Sequence, residues 1–207
     1  MLIKDDELTF EPAAHIYRLG AQRVPSVTQA LGAFNRAFDF VDPGILERAR
    51  QFGAHVHKAC DLYVKGVLDE TDLDPALAPR LYQFKKFLLQ SKFVVVYGEH
   101  RVVNRQLKYA GTLDIAGLMP RRAQMIKAII DLKSGAVPRS VGPQTAGYAN
   151  CLTDSSWRYC KRFALKLTDT SYKLIPCENI ADFPIFQSCL NLYNYNLKAP
   201  TYDNETS

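Results

Sequence analysis

The chain has 207 residues, a formal net charge of +5, 47% hydrophobic and 23% charged residues. That length suits one domain with a full core, and no apolar run approaches the length of a membrane span. The mild positive charge permits an anionic partner without demanding one.

The residues from Leu8 to Val24 read as a short hairpin turning at Gly20-Ala21-Gln22. Ser26-Val27-Thr28-Gln29 has the form of a capping box and starts a helix to about Phe34. Asp42-Pro43 is a cap with proline at the first helical position. The helix it opens carries Ile45, Ala49, Phe52, Val56, Ala59 and Tyr63 at inward spacing and ends at Gly66. Asp74-Pro75 opens another, with Leu77, Leu81, Phe84 and Leu88 inward. The period then changes to that of strands: Phe93 to Val103, Leu113 to Leu118, a turn over Met119 to Ala123, and Gln124 to Lys133. A loop from Gly135 leads to a helix opened by Pro143 and running to about Leu152. Arg158 to Thr168 and Tyr172 to Pro176 form a hairpin, and Asp182 to Leu197 a terminal helix before a polar tail. Helices, three strands, helix, two strands and helix imply an α+β domain with a central mixed sheet flanked by helices.

The five cysteines, Cys60, Cys151, Cys160, Cys177 and Cys189, are odd in number, widely spaced and free of any Cys-x-x-Cys pair. They read as free thiols in a reducing interior, not as a disulfide framework or a zinc site. The opening Met1-Leu-Ile-Lys-Asp-Asp-Glu7 has no apolar leader, so the expectation is a soluble cytoplasmic protein.

Asp131-Leu132-Lys133 closes the apolar run from Met125. Alternation along a strand puts Asp131 and Lys133 on one face and Leu132 on the other. The plain reading is an ion pair at a strand end; the chemical one is a carboxylate and a fixed positive charge at a site, since a lysine beside a buried strand is costly unless paired or functional. Asp114, in Gly111-Thr112-Leu113-Asp114, supplies a second acid on the neighbouring antiparallel strand. Two like charges there call for compensation by a divalent cation or by a shared proton. Arg50, Gly53, His57 and Asp61 fall on one stripe of their helix, so His57 either pairs with Asp61 one turn on or faces a site. Gly53 in a helix interior costs about 1 kcal/mol against alanine and points to a close neighbour. Glu99 is in phase with Phe93, Val95 and Tyr97, as a strand end reaching water or as a site residue. Gln144 and Tyr148 share a helix face, as a surface pair or as contacts at the mouth of a site.

Gly53-x-x-x-His57, Glu99, Gly111-Thr-Leu-Asp114, Asp131-Leu-Lys133 and Gln144-x-x-x-Tyr148, in that order, resemble the PD-(D/E)XK nuclease superfamily. The segment from Tyr17 to Leu31 adds to the likeness. The chain is most similar to its RecB-type exonuclease branch, which includes small phage nucleases and the mitochondrial genome-maintenance exonuclease. The likeness covers about residues 25 to 152; Ala110-Gly-Thr-Leu stands where the superfamily's proline is usual.

The resemblance implies a restriction-endonuclease-like core at 25–152 within a single nuclease domain over 1–207, with the hairpin and terminal helix at 158–197 and the tail at 200–207. It implies a Mg²⁺- or Mn²⁺-dependent DNA exonuclease giving 5′-phosphorylated products in phage or prophage recombination or processing. Asp114, Asp131, the Leu132 carbonyl and His57 would hold the metal, and Lys133 would orient or deprotonate the water. Glu99 would hold Lys133 or the water. Gln144, Tyr148 and Arg50 would position DNA with a free end, and Lys58, Arg139, Lys161 and Arg162 are further phosphate candidates. A recombination or single-strand-binding protein is the implied partner. The cysteines are too dispersed for the iron–sulfur cluster of some relatives. The competing readings are a nucleic-acid-binding module with a degenerate site and a nuclease subunit of a larger complex.

Overall fold

A computed structural model describes residues 6–34, 42–152, 156–157 and 159–198. The polar tail at 200–207 and Arg158 lie outside the described residues. The N-terminal segment makes three strands, β1 (Leu8–Glu11), β2 (Ile16–Leu19) and β3 (Gln22–Val24), in an antiparallel sheet of that order. The expected turn at Gly20 is present, with Gly20 at φ +59°. A second turn over Pro12 to His15 adds the extra strand, and there a histidine takes φ +50° without any glycine to announce it. Leu8, Tyr17, Leu19 and Val24 face inward onto Ala110.

Helix α1 (Val27–Ala30) starts at the expected capping box. Ser26 Oγ accepts from the Gln29 N–H at 3.0 Å, and the Gln29 side chain accepts from the Ser26 N–H at 2.9 Å. It lasts one turn and tightens into a 3₁₀ turn over Gly32–Phe34. Helix α2 (Pro43–Val64) is capped by Asp42, which accepts from the Gly44 and Ile45 N–H groups. Its first two turns stay on the surface, contrary to the inward reading of Ile45 and Ala49; Ile45 is 54% exposed. Among the described residues, the apolar stripe of α2 is packed from Phe52 onward, where Val56, Ala59 and Cys60 enter the core. Helix α3 (Ala78–Ser91) starts three residues after Pro75 and buries Leu81, Phe84 and Phe87, with Leu88 half-buried.

The main sheet has five strands in the order β4 (Val94–Asn104), β5 (Tyr109–Arg121), β6 (Gln124–Lys133), β7 (Lys161–Leu167) and β8 (Tyr172–Pro176). β6 and β7 are parallel and the other pairs antiparallel. A parallel pair needs a crossover, and α4 (Val141–Cys151) provides it. Strand β5 is longer at both ends than the Leu113–Leu118 reading, and the turn after it shrinks to Arg122-Ala123 with Arg122 at φ +54°. The chain ends in α5 (Asp182–Lys198). This is the mixed, helix-flanked sheet expected for a restriction-endonuclease-like core.

Helices α2 and α3 cover one face of the sheet, burying Ile115, Ile130, Leu132 and Leu165 with Phe84 and Phe87. Helices α1, α4 and α5 cover the other, with Leu113, Ile129, Tyr148 and Phe186. Each wholly buried phenylalanine contributes about 1.5–3 kcal/mol. All five cysteines are free thiols. Among the described residues no helix is long and apolar enough to cross a membrane.

Candidate metal centre

Register brings the acids together. The β4–β5 ladder sets Gly98 across from Ile115 and His100 across from Leu113, which leaves Glu99 across from Asp114. The β5–β6 ladder ends at Ile115 and Ile130, which leaves Asp131 across from Asp114 on its other side. Glu99, Asp114 and Asp131 thus form one row over three strands.

Helix α2 lays His57 over this row. Its Nδ1 is 3.4 Å from Asp114 Oδ1, and one ligand atom from each of His57, Glu99 and Asp114 lies within 4.8 Å of the others. His57 does not pair with Asp61. Asp61 is 4% exposed, 2.7 Å from Lys65 Nζ, and has one oxygen against Gly98, where a Cβ would come within 3.1 Å. Gly53, one turn before His57, leaves room for Ser134; a Cβ there would sit 3.3 Å from its hydroxyl. That is the close neighbour its position in mid-helix implied.

Asp114 uses its second oxygen to accept the Leu132 N–H at 2.6 Å. The backbone of Leu132 therefore meets Asp114 through its N–H, while the side chain is buried on the α2/α3 face. Asp131 is 3% exposed, and its Oδ2 lies 2.6 Å from Lys133 Nζ, off the direction of a hydrogen bond. Lys133 donates to Gln144 Oε1 at 3.3 Å, and Gln144 Nε2 donates to the Tyr148 hydroxyl at 3.3 Å. The helix-face pair Gln144 and Tyr148 is thereby linked to Lys133. Tyr148 also fits against Gly111, where a Cβ would be 2.6 Å from its ring.

The charges shift one another. For His57, burial works against the proton, but the Asp114 carboxylate beside it wins and lifts the pKa to about 9. Asp114 moves the opposite way: burial favours its neutral form, and His57, Lys133 and the Leu132 N–H together outweigh that and lower it. Glu99 rises to about 7, through loss of water around its carboxyl and then through Asp114. Although Glu99 as a residue is exposed, its carboxyl leans over the acid row. Asp131 is raised by burial and by Asp114 against the pull of Lys133. Lys133 is raised too: burial opposes its charge, and two carboxylates restore it. Two acids facing one ammonium leave the lysine charged and the acids competing for it.

Glu99 stands with His57 and Asp114. Its place in the apolar phase of β4 is an accident of sequence, because the register slips between Val95 and Tyr97 and Glu99 itself has φ +45°. Gly98 just before an acid in a strand was the available signal for such an irregularity.

The other candidates pair with acids outside the cluster or lie exposed. Arg50 turns back to Glu47 at 3.3 Å on the surface of α2. Lys58 lies 4.0 Å from Asp61, and Lys161 lies 3.9 Å from Glu178. Arg162 is half-buried, 3.1 Å from Asp182 and donating to the Gly142 carbonyl, which ties β7 to α4 and α5. Arg139 is exposed in the loop before α4.

No family model matches the chain, and no curated protein sequence matches it. Among solved structures it is similar to an alkaline exonuclease, LHK-Exo, from Laribacter hongkongensis. The identity is 10% and the TM-score 0.35, over 72% of this chain and 93% of that one. At that TM-score the likeness establishes no kinship.

Proposed function

We propose that this chain is a divalent-metal-dependent deoxyribonuclease, an exonuclease that leaves 5′-phosphorylated products. The observation that carries the reading is the convergence of His57, Glu99 and Asp114 within 4.8 Å, beside the Asp131–Lys133 pair. The donor set fits a hard cation: carboxylate oxygens suit Mg²⁺ and Mn²⁺, and an imidazole suits Mn²⁺ as well. Burial first, and then the neighbouring Asp114 charge, raise Glu99 and Asp131, and a cation there would favour their charged forms. His57, Glu99 and Asp114 would hold the ion, with Asp131 at the edge of the same row. A bound ion there supplies an acidified water and neutralises charge on the phosphate.

The chain's own residues do the rest. Asp131 and Gln144 fix the Lys133 ammonium from two sides. Held there, it stabilises the negative charge that builds on the phosphate oxygens as water adds to phosphorus. The bond to the 3′-oxygen breaks, that oxygen takes a proton, and the phosphate stays on the 5′ side. Tyr148 keeps Gln144 oriented through its hydroxyl. Burial, with Asp131 and Asp114 close by, holds its pKa well above the usual phenol range, so it stays neutral. Leu132 fixes Asp114 through its N–H. The sequence motifs, through the family they resemble, support action on linear DNA in phage or prophage recombination or processing, with a recombination or single-strand-binding protein as partner.

End-labelled linear DNA incubated with Mg²⁺ or Mn²⁺ tests this. Wild type digests it and leaves 5′-phosphates, EDTA stops the reaction, and Lys133→Ala loses digestion while keeping DNA binding. Covalently closed circular DNA survives if the action is from ends. Digestion that persists in Lys133→Ala removes the catalytic assignment. DNA binding by wild type without any metal-dependent cleavage leaves the degenerate binding module instead.

A further inference from the structure

Strand register assembles a second row beside the acids. Lys133 on β6 pairs with Lys166 on β7, and Lys166 pairs with Lys173 on β8. Register partners in a sheet point to the same face. That face is set by their neighbours. Ala164 and Ile175, two residues from Lys166 and Lys173, pack with Val137 and Val141 on the α4 side. Leu165, Leu167 and Leu174 go to the α2/α3 core. The three lysines therefore share the face that carries Asp131. Strands stand about 4.8 Å apart, so the row extends about 10 Å from the site toward the β8 edge.

Like charges directly opposite one another destabilise a sheet. Lys133 is compensated by Asp131. Among the described residues, Lys166 and Lys173 make no ion pair with an acid. At the opposite end of β7, by contrast, Lys161 faces Glu178 and Arg162 faces Asp182. The acid row ends at Asp131, because the next position across, on β7, is Ala164. Beyond Asp131, the described residues of β7 and β8 carry no acid, and Lys133 and Lys166 stand at the carboxyl ends of the two parallel strands, where open sheets bind ligands.

We infer that Lys166 and Lys173 continue the Lys133 row as a binding site for the phosphates of a nucleic-acid strand leading into the metal centre. The inference rests on the nuclease reading for the identity of that polyanion. Lysine is a point charge on a flexible stem and reads no base edge, so the row positions the strand without selecting its sequence. It also gives the strand a side: the backbone leaves the acid cluster toward β8, away from β4 and Glu99.

The test is fluorescence anisotropy of labelled oligothymidylate in EDTA, with salt varied between 50 and 200 mM. Removing one lysine–phosphate pair reduces the slope of log affinity against log salt by about 0.7 for a single strand. Lys166→Gln and Lys173→Gln each lower it by about that amount, and the double variant by about 1.4. Over a fourfold salt change, the salt-induced loss of affinity in the double variant is then about sevenfold smaller than in wild type. Lys86→Gln, the same charge change on α3 over the opposite face of the sheet, leaves the slope unchanged. A double variant with the wild-type slope, or a wild type that binds no oligonucleotide, overturns the inference. Metal-dependent cleavage is scored separately on the same proteins. Cleavage by wild type with unchanged slopes refutes the lysine row alone. A lowered slope without any cleavage supports the row and removes the nuclease reading.

Discussion

Replacing His57 with glutamine removes a charge that the fold holds in place against burial. The imidazole faces Asp114 Oδ1 at 3.4 Å, with its side chain 27% exposed. Its pKa rises from 6.5 to about 9, and each unit corresponds to about 1.4 kcal/mol, so the protonated pair contributes about 3 kcal/mol. The sign follows from the direction of the shift. A proton held more tightly in the folded state stabilises it fully below pH 6.5, and that stability is lost as pH rises through about 9. Urea unfolding in EDTA, followed by fluorescence of Trp157, measures this for wild type and His57→Gln. At about pH 6 wild type is more stable by about 3 kcal/mol, and the gap closes by about pH 10. A gap that stays constant over that range means the contribution of His57 is packing, and the electrostatic account fails.

Two further outcomes follow from the same charges and from packing. If His57, Glu99 and Asp114 take up Mn²⁺, His57 must give up its proton. Calorimetry at about pH 8 in buffers of different ionisation enthalpy then shows about one proton released per ion, and the affinity falls as Glu99 is protonated below about 7. No proton release places the ion elsewhere. Gly111→Ala puts a methyl group 2.6 Å from the Tyr148 ring; it costs about 1–3 kcal/mol by overpacking and slows cleavage by loosening Gln144. Adding Tyr148→Leu recovers stability and leaves cleavage impaired, whereas an undisturbed single variant shows that the ring has room to move.

Much of the scaffold could be read from local chemistry. The capping box at Ser26, the cap at Asp42 and strand β6 from Gln124 to Lys133 appear where the residues put them. Each depends on backbone groups or side-chain alternation within about ten residues, and such signals survive folding. Asp131, Lys133, Gln144 and Tyr148 fall into one connected line, because the strand and helix that carry them are adjacent in sequence. Local reading failed where the answer lay in another element. The apolar spacing of α2 says which side of the helix is greasy, but it does not say that Ile45 and Ala49 stay exposed among the described residues.

The sequence by itself determined the residue types of the candidate site and the faces of the elements that bear them. The tertiary structure decided which of them meet. His57 has Asp61 one turn away on its own helix, yet it faces Asp114, because Asp61 is drawn against Gly98 and Lys65. Glu99 reaches the cluster only through a slip of register and a left-handed backbone at its own position. Lys133, Lys166 and Lys173 are spread over 41 positions of sequence and become neighbours only by strand pairing. Side-chain periodicity is local and written in the chain. Register between distant strands comes from burying both faces of the sheet at once, and that constraint exists only in the folded molecule.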